Sequence, residues 1–210
     1  SKRVSSHAIA TPNTALTGTT ISAVISVNLM ADHDSLIEEI GGMPAIIKLA
    51  RGTHGNGVVL AETKKAAKSV LQAFYLTNSD GTNVLLQEFI RESAGVDIRA
   101  FVVGSQVVAS MKRQSLDDDF RSNLHKGGEG TSIKLTDSER KMCVKAAKAM
   151  GLTVAGVDFM RSSRGALVLE VNASPGFGIE KITRRNVAGK IIEYIDRNAK
   201  RGNKKDKIGA

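Results

Sequence analysis

The sequence predicts an α+β fold. Apolar runs of strand length are mixed with amphipathic stretches of helix length. Several neighbouring strands are too close in sequence for any connection but a hairpin, and no internal repeat or low-complexity core segment interrupts them. Residues 1–18 read as a linker, with "ATPNT" as a turn or extended segment. A strand follows near 21–28. Asp34 is positioned to cap a short helix over 34–40, which Gly41 and Gly42 stop. A strand in "PAIIKLA" leads through the glycine-rich "RGTHGNG" into a strand in "VVLAE", and Thr63 opens an amphipathic helix that runs through Phe74. Three strands come next, "VLLQEFI", "DIRAFVVG" and "QVVASMKRQ", the last two forming a hairpin around Gly104 and Ser105. Residues 114–132, polar and glycine-rich, read as a long functional loop. Thr136 and Glu139 have the spacing of a capping box for a helix to about Met150. A second hairpin lies within "GVDFMRSSRGALVLEVNASPG", and a last helix covers 186–199.

The 210 residues suffice for one large domain or two small ones sharing a core. Hydrophobic content of 41% and charged content of 24% are globular values, which excludes wholesale disorder. The apolar patch "ISAVISV" is too short to span a bilayer and the polar N-terminus does not read as a leader, so no membrane partner is expected. Cys143 is the only cysteine. An intrachain disulfide is therefore excluded, a reducing, cytoplasmic setting is expected, and the residue reads as a small packed side chain. The net charge of +9 asks for an acidic partner or a solvated basic surface. Part of it sits in a basic tail at 200–210, whose docking and solvated readings are equally good. With no tryptophan and 4% aromatic residues there are few stacking platforms, which disfavours direct nucleic-acid binding.

The second hairpin carries Asp158 in one strand and Glu170 and Asn172 in the other, among apolar neighbours. A turn centred near Ser163 sets Asp158 opposite Glu170, and period-two alternation puts Asn172 on the same face. Two carboxylates face to face repel, and in a partly buried site one would take up a proton. Neutralising Asp158 is therefore expected to leave the fold intact or slightly stabilised. A hard divalent cation, Mg²⁺ or Mn²⁺, also removes the penalty, since carboxylate and amide oxygens suit it. The other reading is an exposed face with unrelated acids; the apolar neighbours Val157, Phe159, Val168, Leu169 and Val171 argue for a packed hairpin facing a cleft.

The run "KLARGTHGNG" places glycines at 52, 55 and 57 after Lys48. Their backbone N–H groups can turn toward an anion while Lys48 supplies a point charge. A plain glycine turn fits too, and this is not a P-loop, because G-K-[ST] is missing and the loop enters a strand. Joined to the acidic hairpin, the basic loop describes a Mg·nucleoside triphosphate site.

With "EVNASPG", "LLQEFI", "GVDIR", "DFRSNLHKGG" and "AGVDFMR" the chain resembles the ATP-grasp ligases, and within them the RimK group of glutamate ligases, from Ser1 to about Asn198. The resemblance implies an ATP-grasp fold, two α+β subdomains gripping ATP between them. Residues 19–86 would form the first, with the phosphate loop, and 87–199 the second, with the metal hairpin. It also implies site residues. Lys48 would contact the α- and β-phosphates, and Lys2 would approach the nucleotide from the linker. Glu88 and Phe89 would hold adenine through the hinge backbone, and Asp97 would contact the ribose. Arg121, Ser122 and Asn123 would reach the phosphates and the acyl acceptor. Asp158, Glu170 and Asn172 would hold Mg²⁺ or Mn²⁺, with two ions expected. Bland roles stand beside these: a strand-start residue for Asp97, an edge charge for Glu88, and a surface pair with Asp117, Asp118 or Asp119 for Arg121.

The chemistry implied is ATP-dependent carboxylate–amine ligation through an acyl phosphate, with Lys48 and Arg121 as the catalytic charges and no covalent nucleophile. The partners implied are glutamate and an acidic protein or peptide acceptor, a ribosomal protein being the family's known one; homo-oligomerisation stays open. A ligase with a small-molecule acceptor and an ATP-binding module without ligase activity are the alternatives. Relatives carry a further small α/β unit ahead of the linker, which this chain is expected to lack. Arg184 and Arg185 are the first choice for steering an anionic acceptor, ahead of Lys112, Arg113 and Lys126.

Overall fold

The computed structural model describes residues 22, 24–27, 32–49, 57–77, 83–116, 120–121 and 128–199. Their strands form two sheets. The first has four antiparallel strands in the order β1-β4-β2-β3: β1 (Val24–Val27), β2 (Ala45–Leu49), β3 (Val58–Ala61) and β4 (Val84–Glu88). The central strands β2 and β4 are more buried than the edge strands β1 and β3, as strands with neighbours on both sides should be. Helices α1 (His33–Glu39) and α2 (Lys64–Thr77) accompany this sheet, and Ile37, Ala67 and Leu71 join Ile47 and Leu86 in one core.

The cap of helix α1 lies two residues before the expected one. Asp32 is the N-cap, accepting from the Asp34 backbone N–H at 3.1 Å, whereas the Asp34 carboxylate takes the Lys68 ammonium of α2 at 2.5 Å. Gly41 and Gly42 follow with φ of +98° and +91°, conformations that glycine adopts without strain. Thr63 caps α2 as expected, accepting from Ala66 N–H at 3.1 Å. The helix continues past Phe74 to Thr77, and Phe74 and Tyr75 pack against the core.

The second sheet has the order β7-β6-β5-β8-β9: β5 (Val96–Val103), β6 (Gln106–Gln114), β7 (Glu129–Ser132), β8 (Val154–Ser162) and β9 (Gly165–Asn172). Strand β7 lies inside the stretch expected to be loop. Its "EGTS" has no apolar alternation to reveal it, and it exists as an edge partner of β6. Helix α3 (Asp137–Ala149) starts with the expected capping box and packs Cys143, Ala146 and Ala147 against Ala100, Val157 and Phe159. The opposite face of the sheet carries α4 (Gly178–Thr183) and α5 (Val187–Asn198), which bury Ile179 and Val187 against Phe101, Val103, Ala109 and Met111. Sequence reasoning missed α4, six residues with one buried apolar position and so too short for a period to register. Asn186 caps α5, accepting from Gly189 N–H at 2.7 Å.

Alternation extends that second face beyond its apolar half. Residues two apart from Phe101 and Met111 are Arg99 and Arg113, and the same face carries Asp158. One end is closed by helices; the other presents charge. Several hydrogen bonds tie the two sheets together. Ser22 donates its backbone N–H to the Val168 carbonyl at 3.2 Å and its hydroxyl accepts from Gln87 at 2.5 Å. On the connection from β4 to β5, Glu92 accepts from the Ser163 backbone at 3.1 Å, Ser93 donates to the Arg161 carbonyl, and Arg164 pairs with Glu88. Among the described residues no helix is long and apolar enough to cross a membrane.

Candidate functional site

The hairpin of β8 and β9 turns at Ser163 and Arg164, and its register sets Asp158 opposite Glu170 and Gly156 opposite Asn172. Asn172 donates to Glu170 Oε1 at 3.0 Å and approaches Asp158 Oδ2 at 3.5 Å. The three oxygen-bearing side chains expected together are together.

Their electrostatics differ from the expectation. Asp158 is compensated within the fold: Arg99 from β5, its register partner, donates through Nε at 2.7 Å and Nη2 at 2.5 Å. Arg113 from β6 reaches the same carboxylate at 3.0 Å and grips Asp97 with two bonds of 2.6 Å. Burial alone would push Asp158 up, but Arg113 and Arg99 outweigh it and hold the carboxyl below its usual range. Glu170 goes the other way, raised by its partly buried position and by Asp158 beside it. Arg99 is 3.9 Å from Glu170 and does not form a close pair with it. Neutralising Asp158 would thus leave Arg99 without its close partner and take one of two carboxylates from Arg113, which keeps Asp97, so the expected slight stabilisation is replaced by a cost.

Lys48 enters from the other sheet, on β2 between Val58 and Leu85. Burial lowers its pKa and the Glu170 charge opposes that, so Lys48 of the first sheet lies within electrostatic range of Glu170 on the second. Asp97 is buried and held by Arg113. Glu88 ends β4 and Phe89 follows it, Glu88 bound to Arg164 and Phe89 edge-on to Phe120 at 6.5 Å between centroids. The Arg121 guanidinium lies 5.4 Å from the centroid of that same Phe120, which brings the start of the polar loop beside the hinge. The loop is anchored there by Gly95, which donates to the Phe120 carbonyl at 3.1 Å and accepts from Ser115 at 2.8 Å. Arg184 and Arg185 stand exposed at the end of α4. Arg113, weighed for acceptor steering, is instead buried in the carboxylate cluster, and Lys112 donates to Gln114 at 2.9 Å. Lys2, Ser122, Asn123, Lys126, Gly52, Gly55, the 1–18 linker and the 200–210 tail lie outside the described residues.

Sequence reasoning missed Arg99 as a site residue, although Asp97 and Arg99 share a strand face by period two. Cys143 is buried, and burial, followed by the nearby charges of Glu139 and Asp158, pushes its thiol up to about 12. It is packed, as expected. Among the described residues no group of three or more His, Cys, Asp or Glu side chains could hold a metal ion. The set of two carboxylates and one amide supplies oxygen donors, the chemistry a hard divalent cation takes.

Residues 4–195 match the RimK-like ATP-grasp domain. A probable alpha-L-glutamate ligase of Picosynechococcus sp. is 57% identical over 178 residues, which cover 84% of this chain and 58% of the relative. One of Coxiella burnetii is 58% identical over 170 residues, covering 80% and 56%. The chain thus spans a little over half the length of these curated relatives. Among solved structures, the ATP-grasp ligase PsnB complexed with minimal precursor, Mg and ADP superposes with a TM-score of 0.63 at 23% identity, covering 86% of this chain and 54% of that one.

Proposed function

The chain belongs to the RimK-like ATP-grasp family, and from that premise we propose that it carries the nucleotide site of an ATP-dependent carboxylate–amine ligase. The observation that carries the reading is the Asp158–Glu170–Asn172 cluster of the second sheet, Asp158 paired with Glu170 in register and Asn172 bonded to Glu170, with Lys48 of the first sheet within electrostatic range of Glu170. A lysine near a set of oxygen donors suits a triphosphate and its cation. Asp158, Glu170 and Asn172 would hold Mg²⁺ or Mn²⁺, as two ions, and bound cations would supply positive charge to offset the phosphates. Lys48, Lys2, Arg121, Ser122 and Asn123 bind the phosphate side, Glu88 and Phe89 bind adenine through their backbone, and Asp97 binds the ribose.

The reaction proceeds in two displacements. An oxygen of the acceptor carboxylate bonds to the γ-phosphorus as the bond to its bridging oxygen breaks and ADP leaves. The amine of glutamate then bonds to the acyl carbon, phosphate departs, and the amine loses a proton. The protein positions the reactants and neutralises charge, with Lys48 and Arg121 in that role. The acceptor is the C-terminus of an acidic protein, a ribosomal protein among the options, and the setting is cytoplasmic.

Measuring ADP release with glutamate, with and without an acidic peptide or a small-molecule acceptor, tests the reading. Release that requires both glutamate and the acidic peptide supports it, and release with the small molecule alone moves the assignment to another ligase. ATP binding without ADP release leaves a nucleotide-binding module.

A further inference from the structure

On the other face of the second sheet, where α3 covers the core, a groove of about 600 Å³ runs between α3 and the β5–β6 turn. Val107 and Val144 line it together with four cations, Arg140, Lys141, Lys145 and Lys148. None of the four is in an ion pair among the described residues, whereas the two acids of α3, Asp137 and Glu139, stand in its first turn. Glu139 is bound to Arg161 at 2.6 Å. Arg140 is steered across the groove by a 3.5 Å contact to the Val107 carbonyl. Lys148 in the last turn complements the helix dipole, but that accounts for one of the four charges.

We propose that this groove docks an extended acidic peptide segment of a protein partner. Lys141, Lys145 and Lys148 are four and three residues apart, so they form one stripe along the helix. Four residues of helix rise about 6 Å. Alternate side chains of an extended chain repeat at about 6.8 Å, so alternate carboxylates of an acidic run match Lys141 and Lys145, with Lys148 three residues, about 4.5 Å, further along. The Ser105 and Gln106 side chains at the mouth offer polar partners, and the valines accept the aliphatic part of a glutamate. No aromatic side chain lines the groove, so unpaired bases would find no platform there. The peptide is therefore favoured over a nucleic acid of equal charge. Identifying the segment with the acceptor rests on the ligase reading; the docking itself does not.

The test is fluorescence anisotropy of a labelled decaglutamate peptide, without ATP or divalent cation, on the full chain and on the triple variant Lys141→Gln, Lys145→Gln, Lys148→Gln. Glutamine keeps helix propensity near that of lysine, and circular dichroism with a thermal melt checks the fold. The variant should bind about tenfold more weakly, the combined scale of three exposed charge contacts, with a shallower salt dependence, while its affinity for ATP stays unchanged. Equal peptide affinity in the two proteins overturns the proposal. So does a single-stranded oligonucleotide of equal charge that binds the full chain tighter than the peptide does. Peptide binding lost in the variant while the full chain releases no ADP supports the docking site and sinks the ligase reading.

Discussion

Arg99 holds Asp158 side-on across neighbouring strands, Nε to Oδ1 at 2.7 Å and Nη2 to Oδ2 at 2.5 Å. Arg113, one strand further out, adds a contact of 3.0 Å to the same carboxylate. The row Arg113, Arg99, Asp158, Glu170 thus carries two positive and two negative groups over β6, β5, β8 and β9. The like-charge pair of the hairpin is stabilised by arginines within the fold itself.

Asp158→Asn tests both the balance and the proposed metal role. Removing one partner of a buried ion pair leaves the other uncompensated, at a cost on the order of 3 kcal/mol. Denaturant unfolding without metal should show that loss, and Mg-dependent ATP turnover should fall nearly to zero. Unchanged or increased stability would contradict the charge balance; unchanged turnover would remove Asp158 from the metal site.

Lys48→Met separates a phosphate contact from a structural role. Its loss should weaken ATP by about tenfold or more, the scale of a hydrogen bond to a charged group. Adenosine binding, measured by calorimetry, should scarcely change. An equal loss for both ligands would assign Lys48 to the packing of the first sheet.

Glu139 gives a pH dependence. Its hydrogen bond from Arg161 holds the carboxyl below its usual range. A carboxyl depressed in the folded state contributes stability above its unfolded pKa, lost as pH falls through the folded value. Because the guanidinium is half exposed, screening limits the contribution to ~0.5–1 kcal/mol. Glu139→Gln should therefore be less stable than the parent above about pH 5, with the difference vanishing in more acidic buffer. A difference that grows on acidification would reverse the sign and refute it.

Cys143 reports on unfolding. Buried under α3 with its thiol pushed up to about 12, it should resist alkylation in the native protein. Labelling followed by mass spectrometry should give rates that rise with denaturant in step with the loss of ellipticity. Rapid stoichiometric labelling in native buffer would show that α3 opens locally.

The pairing of Asp158 with Glu170 was legible in the sequence, because a short turn and a period of two leave little freedom in a hairpin's register. The capping box at Thr136 and the hairpin of β5 and β6 were legible for the same reason: each is set by residues a few positions apart. Strand β7 and helix α4 were not, since neither carries a periodic signal and each is held by what it packs against. Only the tertiary structure put Arg99 and Arg113 on Asp158, and brought Lys48 within electrostatic range of Glu170. Those contacts depend on the order β6-β5-β8 and on how one sheet meets the other. Hydrophobic patterning tells each strand which face to bury, but it does not say which strand lies beside it, so charges 59 residues apart in sequence meet only after the sheet has assembled.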